Sequence, residues 1–359
     1  MNFATTDDRE IAKQFRCMSE ATTDDREIAK QFRCMSEATT YDREIAKQFR
    51  CISEVCAILI LLRFIDIQEA FMNYSLSNSI YELTVSDHGA EIRSLKKNGQ
   101  ELMWQADPAF WGRTSPVLFP LVGNYWEKNS RFAGKTYEMS QHGFARDMDF
   151  TLVKESVDEL LFELKSDEKT HEKYPFDFVL QLGYKLDDKG LKVIWIVKNT
   201  TEDTIHFSIG GHPAFNCDLL RDSLVYYKAG EKLSKPLDVN IIEGDGSGCL
   251  SDRTKKISLE SGVMKLSPKL FDEDALIIED RQADAVALVN SKGAEILKVS
   301  FDAPLFGIWS PTGKKAPFVC IEPWYGRCDR VGFTGDISER EYGNALGAGA
   351  IFEVSYTIA

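Results

Sequence analysis

Residues 80–86 alternate along the chain, with Tyr81, Leu83 and Val85 apolar and Glu82, Thr84 and Ser86 polar. A period of two sends successive side chains to opposite faces of an extended backbone, so the stretch predicts a half-buried strand. The same texture recurs. Asn98-Gly99 lies between residues 91–95 and 101–104, and Asn-Gly is the dipeptide that best fits a two-residue hairpin turn. Residues 178–186 and 191–198 flank the turn 187–190 as a second hairpin, with Leu191, Val193, Trp195 and Val197 on one face. Residues 286–289 and 296–301 flank 290–293 as a third, and the chain closes on an alternating run at 350–358. Long helical periodicity is nearly absent after residue 72. This pattern predicts an all-β domain over 72–359, a large antiparallel sandwich or barrel.

The first 54 residues read differently. A 17-residue unit occurs at 4–20, 21–37 and 38–54, its copies differing only at Tyr41 and Ile52. Each carries helix signals, with Asp7 and Glu10 spaced as an N-cap and its partner, and Ile11, Phe15 and Met18 on one face. A helix turns about 100° per residue, so the apolar stripe would jump by about 100° at each copy, which argues against a coiled coil. Near-identical adjacent copies point to duplication of the coding segment. Residues 1–71 are therefore expected to be a helical or poorly ordered extension.

Charge narrows the partners. The net charge of -13 disfavours nucleic acid and anionic membranes, both of which call for clustered Lys and Arg. A small neutral substrate, or an anion captured locally, fits better. Of the eight cysteines, Cys17, Cys34 and Cys51 are repeat copies and Cys56 lies in an apolar run. Cys217, Cys249, Cys320 and Cys328 are scattered without CxxC spacing, which reads as reduced thiols rather than a disulfide or zinc framework. The charged N-terminus has no secretory signal, and the apolar run 55–62 is too short to span a bilayer, so a cytoplasmic protein is expected.

Three stretches carry candidate chemistry. FSIGGHPAFN (207–216) sets His212 between a glycine pair and a proline, where a strand ends and the backbone is expected to kink. QHGFAR (141–146) contains His142. IEPWYGRCD (321–329) contains Glu322 beside Trp324 and Tyr325, aromatic neighbours that would strip its water and raise its pKa, as suits a base. Each residue has a plainer reading. Either histidine could be a hydrogen-bonded structural group, and Glu322 could pair with Arg327 or Arg330. His142, His212 and Glu322 could also form a two-histidine, one-carboxylate metal set. His88, His171 and His206 carry no assigned role.

QHGFAR, GGHPAFN and IEPWYG, in this order and spacing, resemble the aldose 1-epimerase (galactose mutarotase) superfamily, in the branch related to hexose-phosphate mutarotases. WGRTSPVLFPLVGN (111–124) strengthens the likeness, which runs from about Asn73 to Ala359. The resemblance implies that superfamily's large antiparallel β-sandwich. It also implies Glu322 as general base, His212 as general acid and His142 as a hydrogen-bond partner of the sugar. Arg113, Arg146 and Asp274 become substrate-binding candidates, and Arg146 matches an arginine that helps hold phosphate in phosphate-recognising relatives. Galactose mutarotases proper have a different arginine-bearing segment at 118–124, which points away from free galactose. Interconverting anomers needs a base at the C1 hydroxyl and an acid at the ring oxygen, and a histidine near its ordinary pKa of about 6.5 can serve as that acid. No cofactor or metal is implied. The expected partner is a sugar or sugar phosphate, with no nucleic acid and no membrane, and with the chain a monomer or homodimer. The alternative is a carbohydrate-binding sandwich without catalysis.

Overall fold

Residues 71–359 are described by a computed structural model. The repeats and the apolar run 55–62 lie outside these residues. Among the described residues no helix is long and apolar enough to cross a membrane.

The predicted hairpins form. Phe178–Asp187 and Gly190–Asn199 pair in continuous antiparallel register from Phe178↔Asn199 to Asp187↔Gly190. Leu191, Val193, Trp195 and Val197 are all buried, because the two-residue period turns them to one face. Asn98 and Gly99 both take positive φ, 51° and 78°, as a tight primed turn demands. The second arm of that hairpin is shorter than expected. Only Gln100–Glu101 continues it. The chain then peels away, with Met103 bridging Phe215 and the Trp104 N–H donating to the Ala214 carbonyl. The third hairpin joins Ala285–Val289 to Glu295–Phe301.

Two large sheets, one of ten strands and one of eight, dominate the described residues, and every strand pairing within them is antiparallel. Their inner faces share one apolar core. Leu180, Trp195, Val197, Leu288 and Val299 enter it from the ten-stranded sheet, and Ile209, Phe215, Ile308, Val319 and Ile321 from the eight-stranded one. This is a β-sandwich, one of the two architectures the alternation allowed and the one the family resemblance implied. Burying each such side chain contributes about 1.5–3 kcal/mol before chain entropy is subtracted. The last strand, Ile351–Ile358, inserts between the second and third hairpins, pairing Leu191↔Ile358 on one side and Val299↔Ile358 on the other. Cys217, Cys249, Cys320 and Cys328 are free thiols, as their spacing suggested.

In the eight-stranded sheet, Phe318–Tyr325 is flanked by Leu305–Trp309 on one side and by Ile209–Gly211 and Ala214–Asn216 on the other. Val319 and Ile321 face the main core. Phe318, Cys320, Glu322 and Trp324 alternate with them and so share the outer face. Two small apolar clusters cover that face, one around Phe318 and Cys320 and one around Trp324. Glu322 lies between them in sequence.

Candidate active site

Register brings the acid and base candidates together. Gly210 pairs with Trp324 and Ala214 with Cys320, and the count between those pairs sets His212 opposite Glu322. Pro213 occupies the break between the two short strands, where its missing N–H costs no ladder bond. His212 is anchored through its backbone, whose N–H donates to the Pro116 carbonyl at 3.0 Å. The side chains meet with His212 Nε2 3.5 Å from Glu322 Oε1. Both are buried, at 6% and 1% exposure. Neither His212 Nδ1 nor Glu322 Oε2 finds a hydrogen-bond partner, so each retains bonding capacity for a ligand.

The glycine pair before His212 serves packing, not the kink expected from the sequence. Neither glycine takes a positive φ. A Cβ on Gly210, or on Gly307 in the opposite flanking strand, would overlap the Trp324 ring, so the indole lies across both backbones. A Cβ on Gly211 would instead lie 3.0 Å from the Trp195 ring on the core side. Successive glycines thus admit one tryptophan on each face of the sheet.

Aromatic rings box in the imidazole of His212. Trp111 stacks on it at 4.7 Å, while Trp309 and His142 approach edge-on at 5.3 and 5.6 Å. His142 has φ of 67°, held by two bonds to Gly123: its N–H donates to the Gly123 carbonyl, and its Nδ1 accepts the Gly123 N–H at 3.0 Å. With Nδ1 accepting, the neutral ring carries its proton on Nε2, ready to donate.

Burial moves the pair's proton affinities in opposite directions. It pushes the Glu322 carboxyl well above the carboxylate range. The Trp324 indole opposes this, and the nearby charge of Asp274 adds to it. It lowers His212 to about 3, helped by the positive charges of Arg146 and Arg113. His142 also falls well below its usual value, through burial and then the neighbouring His212. The histidine of ordinary pKa expected from the sequence is therefore absent from the free site. Desolvation disfavours the charged form of either group, leaving a carboxyl and a neutral imidazole.

The substrate-binding candidates surround the pair. Arg113 Nη2 lies 2.5 Å from Asp147 Oδ1. Arg146 donates from Nη2 to the Gln141 carbonyl at 2.7 Å, while its buried Nε makes no hydrogen bond and lies 3.7 Å from Asp147 Oδ2. Burial and the adjacent Arg113 lower Arg146 to about 10. Two guanidiniums beside one carboxylate leave a positive rim. Asp274 takes φ of 69° and its Oδ1 accepts the Ala275 N–H. Loss of water raises its carboxyl, against the Ala275 N–H and the Trp309 indole.

All six predicted site residues therefore converge. The proposed pairing of Glu322 with Arg327 or Arg330 is not formed, since Arg327 bonds Glu279 and Glu341 and Arg330 bonds Glu341. The two-histidine metal set does not assemble either, because Gly123 occupies His142 Nδ1. Among the described residues, the group able to converge on an ion is His212, Cys320 and Glu322. Cys320 and Asp147 were missed from sequence. Cys320 was findable, two positions before Glu322 in a strand and hence on its face, and Asp147 directly follows Arg146 at the end of the QHGFAR stretch.

A family model described as aldose 1-epimerase matches residues 72–331. Among similar proteins is the plasmid-borne LacX of Lactococcus lactis subsp. lactis, 31% identical over 271 residues, covering 71% of this chain and 88% of LacX. The structure of a galactose mutarotase related enzyme from Lactobacillus acidophilus is similar with a TM-score of 0.74 and 34% identity, covering 80% of this chain and 97% of that one. A galactose mutarotase-like protein from Lactobacillus casei gives 0.73 and 29%, covering 80% and 99%.

Proposed function

Because this chain belongs to the aldose 1-epimerase family, an isomerase family, we propose that it interconverts the α and β anomers of a hexose or hexose phosphate, with Glu322 as base and His212 as acid. The observation that carries this reading is the buried His212–Glu322 pair, 3.5 Å apart with unsatisfied atoms on both members. Glu322 takes the C1 hydroxyl proton as His212 protonates the ring oxygen. The C1–O bond of the ring breaks, leaving an open-chain aldehyde. Rotation about C1–C2 exposes the other carbonyl face, and reversed proton transfers close the ring.

These roles need the pair's single proton on His212, whereas burial in the free site favours it on Glu322. Either arrangement holds one proton, so the two belong to one coupled titration. Sugar hydroxyls would supply the polar contacts that Glu322 Oε2 and His212 Nδ1 lack, which favours the charged arrangement in the complex. His142 donates from Nε2 to a sugar oxygen. Arg113 and Arg146 form the positive rim suited to a phosphate, since a guanidinium can match two of its oxygens at once.

Polarimetry on freshly dissolved hexoses and hexose phosphates tests the reading. Faster approach to anomeric equilibrium for at least one sugar is expected. Tight binding of a sugar without acceleration of any in the panel would leave a carbohydrate-binding sandwich instead.

A further inference from the structure

Cys320 has no part in the proton transfers, yet it adjoins both groups that perform them. It precedes Glu322 by two positions on one strand and so shares its face, opposite Ala214 and next to the His212 break. One ligand atom from each of His212, Cys320 and Glu322 lies within 4.8 Å of the others. All three residues are buried, and the Cys320 thiol is free. Among the described residues no other trio of His, Cys, Asp or Glu converges in this way.

Zinc binds nitrogen, oxygen and sulfur donors at about 2.0–2.3 Å, which sets donors in a tetrahedral site roughly 3.3–3.8 Å apart. The 3.5 Å between His212 Nε2 and Glu322 Oε1 already fits. The Cys320 sulfur lies within 4.8 Å of a ligand atom of each residue, so binding requires it to close the remaining gap by side-chain rotation. His212 Nδ1 and Glu322 Oε2 are unpartnered, so no bond within the protein holds these side chains against such a shift. The His212 side chain keeps 8% exposure.

We propose that His212, Cys320 and Glu322 form a latent site for a thiophilic divalent cation such as Zn2+, which reversibly blocks the enzyme by occupying its acid and base together. On binding, the thiol proton and the single proton held by the His212–Glu322 pair both leave to solvent, so the ion meets a thiolate, a neutral imidazole and a carboxylate, and it keeps its oxidation state. The fourth position stays open to water or a sugar hydroxyl. One thiolate and one imidazole select Zn2+ or Co2+ over Mg2+ or Ca2+. The inhibition rests on the acid/base reading of the pair, whereas the binding does not.

Co2+ titration of the full chain, followed by absorbance, tests the binding alone. One ion per chain should give a thiolate-to-cobalt charge-transfer band that Zn2+ abolishes and Mg2+ leaves unchanged. The band should be missing from Cys320→Ala, or from the closer-sized Cys320→Ser if the alanine variant does not fold. Zn2+ should also slow the wild-type enzyme at least about 10-fold, with recovery on chelation, and the cysteine variant should need at least about 100-fold more Zn2+ for the same fractional loss of its own rate. A wild-type spectrum without the thiolate band, or a band kept in both variants, overturns the site whatever the activity. A thiolate band without inhibition leaves the metal site standing and tells against the acid/base roles instead.

Discussion

His212 and Glu322 are cross-strand neighbours, aligned by the pairings Gly210↔Trp324 and Ala214↔Cys320 on either side of them. Two paired strands of one sheet fix their separation, so the site is built before a sugar arrives. Burial then drives the two apart electrostatically, raising the carboxyl and lowering the imidazole. Such opposed shifts place the pair's single proton on Glu322 in the free site, and the proposed roles require it to move to His212 in the complex.

Removing either member should disable the chemistry more than the binding. Glu322→Gln and His212→Asn are each expected to lower kcat at least about 100-fold, with KM changing much less. The double variant should be little worse than either single one, because one proton circuit is broken in all three. Steady-state polarimetry on folded variants checks this. Near-wild-type turnover in Glu322→Gln would refute its role as base.

The pH profile of kcat/KM reports the free enzyme, whose pair carries one proton across the neutral range. The acid limb should come from His212 taking a second proton towards pH about 3. The alkaline limb should come from the pair losing its last proton. A midpoint near the ordinary histidine value of about 6.5 would instead mean that His212 is not desolvated in solution.

Glu322 also links stability to pH. Its folded pKa is raised above the unfolded value, so its contribution is fully present below the unfolded pKa and is lost as pH rises towards the folded one. Glutamine does not titrate. The margin by which the melting temperature of Glu322→Gln exceeds wild type should therefore grow as pH rises above about 4. A margin independent of pH would show that the carboxyl is not held protonated by the fold.

Arg146 should separate charged from neutral substrates. Its buried Nε makes no hydrogen bond within the protein and Arg113 stands beside it. A hydrogen bond to a charged group is worth about 1.5–3 kcal/mol, so Arg146→Ala should raise KM for a hexose phosphate about 10–100-fold while sparing an unphosphorylated sugar. Equal losses on both would assign this arginine a structural role through its bond to the Gln141 carbonyl.

By itself, the sequence determined the strands and marked the six residues proposed for the site. Alternation at 80–86 and 191–198, and the turn at Asn98-Gly99, depend on neighbours within a few positions, and those survive in the fold. The three motifs carried His142, His212 and Glu322 because a family resemblance records residue types at fixed spacing. Tertiary structure alone decided what those residues experience. The glycines before His212 read as a flexible kink until Trp324 and Trp195 are seen lying against them. Only the fold closes the Trp111 and Trp309 rings on the imidazole of His212. Asp147 directly follows the QHGFAR stretch, but its pairing with Arg113, remote in the chain, had no mark in the sequence. The histidine's pKa failed most plainly as a sequence inference. Residue type gives a value in water, whereas the depressed value follows from desolvation and from Arg146 and Arg113, which strand register and loop packing bring to His212 from elsewhere in the chain.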